Sequence, residues 1–292
     1  MRLSLTKCAG LCGRLRNACL PESARGSLTR MARAGRVLCA FALWSCSHDP
    51  YVIGRYPGDA AVDVGDRDGA AADAAVDECA DTEALICSGF ESDPLASEWP
   101  DRSVSSDATL ERTTDSAHSG TASLRASSAA ADSLAVVARS FPALTEGDLW
   151  FRAFVYVPAE LPTETMNLFF IGEEPSPNPP QPFFGIDFNL EDGAAQLYSP
   201  QWSPARITGG LVIPRDQWFC FRARIAISDD AGVVQVYVGD ALAVEASGVD
   251  TLPSGGVRRF RGGIDWSSGQ DAFFEVFIDD LVLDVEEVGC GG

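Results

Sequence analysis

Lysine is almost missing from this chain. Of its 22 basic residues only Lys7 is a lysine, and they face 42 acids, for a formal net charge of −20. A chain this acidic repels phosphate backbones, which argues against nucleic acid as a partner. The preference for arginine reads as genome composition first and chemistry second. Histidine is nearly absent too, with only His48 and His118. No Ser-His-Asp or Cys-His arrangement is therefore supported, and His118, in a His-Ser-Gly turn, reads as a turn residue rather than a base. The apolar run Val37–Trp44 is too short to span a bilayer. No stretch has the period of an amphipathic helix.

What is present divides the chain by composition. Residues 1–45 hold eight basic residues against one acid, 46–86 two against ten, and 87–292 twelve against thirty-one. Met31 opens MARAGRVLCAFALWSC, with Arg33 and Arg36 before the apolar run and Ser45-Cys46 after it. This is the layout of an export signal. Its end resembles a bacterial lipobox, which implies lipidation of Cys46, although Trp44 is large for its position. On this reading residues 1–30 are an over-extended start or disordered, and 31–45 are the signal. Residues 46–78 are an acidic tether, Asp- and Ala-rich, with DAAVD at 59–63 and again at 73–77. Such a segment buries too little apolar surface to offset its ordering entropy. Cys8, Cys12 and Cys19 match no zinc or iron–sulfur spacing. DVGDRDG at 63–69 misses the alternate-acid register of a calcium loop.

Cys79, Cys87, Cys220 and Cys290 remain, an even number in an exported chain and thus a disulfide framework. The preferred pairing joins Cys79 to Cys87 and Cys220 to Cys290. Its rival ties the two ends of the domain together through Cys87 and Cys290.

Residues 79–292 read as one β-sandwich domain. From Trp218 on, Phe219, Phe221, Ala223, Ile225 and Ile227 alternate with Cys220, Arg222 and Arg224, the period of a half-buried strand. A turn at 228–232 leads into a second strand carrying Val234, Val236 and Val238. Further strands are expected at 87–91, 108–113, 122–126, 134–141, 149–157, 183–190, 195–198, 241–246, 257–265 and 273–285. Short strands at such spacing, with no helix, predict an all-β, two-sheet antiparallel sandwich.

GFE at 89–91, Trp99, AHSGTASLR at 117–125 and FIDDLVL at 277–283 resemble the ends of jelly-roll carbohydrate-binding modules. The middle, WFCFRARIAI with GVVQVYVGD, resembles laminin G-like and concanavalin A-like sandwiches. The resemblance implies a structural calcium tying the first and last strands through Glu91, Ser119, Gly120, Asp279 and Asp280, a set of oxygen donors suited to a hard cation. It also implies a polysaccharide or glycoconjugate partner.

Aromatic faces stack on sugar rings and guanidinium forks pair with acidic sugars. The residues expected to do so are Arg152, Tyr156, Tyr198, Trp202, Arg222, Arg224 and Tyr237, with Trp202 and Trp266 exposed at a rim. Cross-strand ion pairs are the competing use of the same arginines. Hydrolases of this fold pair carboxyls on one strand, but GIDFNLED at 185–192 has Gly185 where the first glutamate would stand. A retaining mechanism needs two carboxyls about 5 Å apart.

The expectation is thus an exported, envelope-anchored, lectin-like protein that touches the membrane through its lipid alone. A lyase or hydrolase and a structural or adhesive domain are the rivals. Two carboxyls facing one groove would favour the enzyme, and a fully salt-bridged face the structural protein.

Overall fold

The computed structural model describes residues 79, 83–160, 164–173, 184–268 and 272–291. The signal, Cys46 and the tether lie outside them. Among the described residues there are fifteen strands and one short helix, Leu95–Glu98, and no helix is long and apolar enough to cross a membrane. The chain is an antiparallel two-sheet sandwich, as its alternating strands predict.

One sheet has eight strands. Its path runs β13 (Ala241–Val249), β12 (Gly232–Val238), β11 (Trp218–Ile227), β6 (Gly147–Tyr156), β15 (Phe274–Asp284), β4 (Ser123–Ser128) and β3 (Ala108–Thr113), with β1 (Ile86–Ser88) also on β15. The other has seven: β10 (Arg206–Val212), β9 (Ala194–Tyr198), β8 (Gly185–Glu191), β7 (Met166–Gly172), β14 (Val257–Ser267), β5 (Ala135–Leu144) and β2 (Asp101–Val104).

The core lies between them and is aromatic at its centre. Phe151 of the first sheet meets Phe169, Phe188 and Phe260 of the second with ring centroids 4.7, 6.5 and 5.4 Å apart. Trp99, fully buried, stacks on Phe90 and donates its indole N–H to Ser88 Oγ at 3.1 Å. That bond resolves the one polar group a buried tryptophan brings with it. Both preferred disulfides form, Cys79–Cys87 and Cys220–Cys290.

Three strands escape the sequence reading. β7 is buried on both faces, so its apolar run has no alternation to detect. β10 contains Gly209 and Gly210, which weaken a strand signal. β2 is a four-residue exposed edge whose one apolar residue, Val104, gives no alternation.

Irregular register matters more than strand count. The pairing of β7 shifts between Asn167 and Phe169, and that of β14 between Gly262 and Trp266. A bulge moves side chains across the sheet. Asn167 and Phe170, three apart, thereby share the outer face of the seven-stranded sheet, as do Arg261 and Asp265, four apart.

Candidate functional site

The strip expected on β6, β11 and β12 forms, but its charges are already engaged. Arg222 pairs in register with Arg152 and Tyr237, and Arg224 with Trp150 and Gln235. Arg152 is 5 % exposed and donates to the main-chain oxygen of Gly289 at 3.1 Å. Arg222 lies over Trp150 and Tyr237 and meets Glu287 at 3.4 Å. Arg224 donates to both oxygens of Asp148 at 3.1 and 3.0 Å. The partners are tail residues and Asp148. Cys290, bonded to Cys220, pins the tail to this face. Tyr156 sits apart from the strip, against Trp218 and Phe277.

Trp202 is not at a rim. It is 6 % exposed, packed in the core, with its indole N–H donated to the Asp250 oxygen at 2.7 Å. An indole in a polar loop can still fold inward once a main-chain acceptor meets its nitrogen.

Tyr198 leads to a different place. On the outer face of the seven-stranded sheet, register alone assembles two rows. One runs Arg261, Phe170, Asp187, Tyr198, Arg206 across β14, β7, β8, β9 and β10. The other runs Trp266, Asn167, Asn189, Gln196, Thr208 across the same five strands. Successive outward residues on a strand stand about 7 Å apart, close to the span of a sugar ring. Above the rows lie two adjoining hollows of about 550 and 220 Å³ that share Asn167, Asp187, Tyr198 and Trp266.

Each member is held by a neighbour. Arg261 pairs with Asp265 at 2.7 Å and lies 4.5 Å over the Phe170 ring. Arg206 lies 5.3 Å over the Tyr198 ring. Trp266 donates to Asp132 at 2.5 Å. Asn189 donates to Gln196, which donates in turn to Thr208 at 3.1 Å and to Glu191.

Gly185 is explained here. A side chain at that position would run into the Phe170 ring, so the place of a hydrolase's first glutamate is filled by an aromatic ring.

Burial pushes the Asp187 carboxyl up to about 7; the charge of Asp265 adds to this, while a hydrogen bond from Asn167 and the Arg261 guanidinium oppose it. Burial raises Asp265 as well, against the pull of Arg261. Perturbed carboxyls in a cleft mark functional sites more often than chance. Of this groove, Tyr198 and Trp266 are expected from the sequence, and Asp187 lies in the GIDFNLED stretch weighed for paired carboxyls. Asn167, Asn189, Gln196, Arg206, Arg261 and Asp265 were missed. The alternation Asp187-x-Asn189-x-Glu191 beside Gln196-x-Tyr198 was the available signal for β8 and β9; the bulges hide the rest.

The five residues named for calcium converge on loop 117–122. Glu91 accepts from Thr121 N, Thr121 Oγ1 and Ala122 N at 2.7, 2.6 and 3.0 Å. The Asp279 carboxylate accepts from the amides of His118, Ser119 and Asp280. Asp280 meets His118 Nδ1 at 2.6 Å and Ser119 Oγ at 2.7 Å. Burial, then the charge of Asp280, raises Asp279 to about 7. Burial works against Asp280 also, but the bonds from His118 and Ser119 outweigh it and hold that carboxyl below its usual range. Every carboxylate oxygen here already accepts from the protein. Among the described residues no three acids, histidines or cysteines are placed to hold a metal.

No family model and no curated protein matches the chain. Among solved structures it is similar to an endo-β-1,4-glucuronan lyase from the fungus Trichoderma reesei, at 12 % identity and a TM-score of 0.54, over 64 % of this chain and 90 % of that one. It is also similar to a cellulose-induced protein, Cip1, at 17 % identity and a TM-score of 0.54, over 70 % of this chain and all of that one. At such identities the likeness shows the jelly-roll fold, and the chemistry must come from this chain's own residues.

Proposed function

We propose that this chain is an exported, envelope-anchored glycan-binding protein whose binding face is the groove of the seven-stranded sheet. One observation carries the reading: ten outward residues, aromatic, amide, guanidinium and carboxyl, stand in two registered rows beneath an open cleft. Aromatic faces with a few convergent polar groups are what a sugar site requires. The polysaccharide-related names of the two structural neighbours support the same class of partner.

The test is binding of the purified chain to a panel of polysaccharides, with Tyr198→Ala and Arg206→Ala beside Arg222→Ala. Loss in the first two, with Arg222→Ala unchanged, is expected. Loss only in Arg222→Ala would return the site to the eight-stranded sheet.

A second reading, an enzyme, is favoured by Asp187 and Asp265 sharing the groove. A carboxyl raised to about 7 can give and take a proton near neutrality. Release of new reducing or unsaturated ends from a bound polymer, abolished in Asp187→Asn, would establish it; bound polymer left intact would retire it.

The anchor and the ion are separate proposals. Cys46→Ala is expected to move the protein from the membrane fraction to the soluble one, and an unmoved mutant would sink the lipoprotein reading. Calcium at Glu91, Ser119, Gly120, Asp279 and Asp280 rests on the resemblance of these end motifs to jelly-roll modules alone, since no three acids are placed to hold a metal among the described residues. EDTA should then lower the melting temperature, and an unchanged value would leave the clasp to hydrogen bonds alone.

A further inference from the structure

The orientation of the amides in the groove is dictated by the carboxylates beside them. Glu191, an acceptor, can take only the nitrogen end of Gln196. The Gln196 oxygen therefore faces Asn189 and receives its nitrogen at 3.3 Å. Asn189 Oδ1 is left over, on a residue 5 % exposed and with no hydrogen-bond partner among the described residues. Asn167 gives its nitrogen to Asp187, so its Oδ1 is left over in the same way, on a residue 4 % exposed. Asp265 turns Oδ2 to Arg261, and its Oδ1, on a residue 6 % exposed, has no hydrogen-bond partner either.

The floor thus presents three buried oxygens without a donor, two of them amide oxygens that can only accept and the third a carboxyl oxygen that accepts while Asp265 is ionised. Buried acceptors are rarely left unmatched in a native protein, and such a cluster in a cleft points to a ligand that completes them. The missing partner must donate. A sugar hydroxyl does so; a uronate carboxylate cannot, and it would meet Asp265, Glu191 and the Asp187 carboxyl with Arg261 already turned to Asp265 and Arg206 lying over the Tyr198 ring at the groove's edge.

Resting on the glycan-binding reading above, we propose that this groove takes a glycan segment presenting hydroxyl donors and no carboxylate, and discriminates against polyuronates of the same linkage. The unpaired oxygens of Asn167, Asn189 and Asp265 are its specificity determinants. The geometry departs here from the glucuronan substrate in the name of the similar lyase.

The experiment is calorimetric titration of the full chain with matched pairs of oligosaccharides: β-1,4-glucan, β-1,4-mannan and α-1,4-galactan hexamers, each against the hexamer of the same linkage oxidised to a carboxylate at C6. In every pair that binds, the neutral member is expected to bind at least about tenfold more tightly. Equal or tighter binding of the carboxylate member overturns the proposal while leaving glycan binding intact. Binding of no member, by a chain shown to be folded, overturns the glycan-binding reading and this proposal with it. Asn189→Leu provides the second arm. It should keep the melting temperature within a few degrees yet weaken the neutral hexamer by about tenfold. Unchanged affinity in that variant would also overturn the assignment.

Discussion

On the eight-stranded sheet Arg222 lies between Trp150 and Tyr237 and ends on Glu287 of the tail. On the seven-stranded sheet Arg206 lies over Tyr198 at the side of an open cleft. The two outer faces draw on the same residue types, yet one is closed by the chain's own C-terminal segment and the other, among the described residues, is not. Matching aromatics with guanidiniums finds both faces equally well. What separates them is that the tail meets the guanidinium tips of Arg152 and Arg222 on one face, while on the other three buried acceptor oxygens of the groove have no donor among the described residues.

The comparison breaks most visibly if the tail is released. Replacing both Cys220 and Cys290 by alanine opens a link between residues 70 apart, worth about 4 kcal/mol by chain entropy. Melting should fall by roughly 10 °C, while binding in the groove should survive, since the tail covers the opposite sheet. Loss of glycan binding in this variant would contradict the separation of the two faces.

Inside the groove, Tyr198→Ala removes a stacking face together with the platform under Arg206. An affinity loss of about tenfold or more is expected in glycan titrations, against less than about twofold for Tyr237→Ala, whose ring is covered by Arg222.

A pH profile sharpens the contrast further. The Asp187 carboxyl sits at about 7 in the folded chain against 3.8 for the free group. It therefore favours folding while protonated; the contribution is complete below about pH 4 and is lost as pH rises through about 7. Asp187→Asn should raise the melting temperature at pH 8 by roughly 5 °C and leave it almost unchanged at pH 4. Asp279 titrates in the same window, so some slope should remain in the variant. An unaltered profile would mean that Asp187 is better solvated than its surroundings indicate.

The smallest effect is expected at Arg224→Ala. Its pair with Asp148 is partly exposed, so melting should drop by only about 2 °C, and a much larger drop would make that face a structural keystone.

Much of the fold was legible because alternation is local. Phe219, Phe221, Ala223 and Ile225 point inward as their spacing dictates, and β11 and β12 pair where the 228–232 turn places them. The preferred cysteine pairing, Cys79 with Cys87 and Cys220 with Cys290, is the one that forms, and the structure rather than the spacing sets aside the Cys87–Cys290 rival. The candidate site was legible only in part. Asp187, Asn189, Gln196 and Tyr198 lie on strands with regular alternation and could have been grouped. Asn167, Phe170, Arg261 and Asp265 share their face only through bulges, and a one-residue slip moves a side chain to the other side of the sheet.

By itself the amino-acid sequence determined the class of fold and the alternation that builds the core, since each follows from residue type and spacing along one strand; it favoured the disulfide pairing that forms but left its rival open. Only the tertiary structure decided which outer face stays open. That depends on where a tail crosses, which strand lies beside which, and which buried oxygen ends without a donor, all of them relations between residues far apart in the chain.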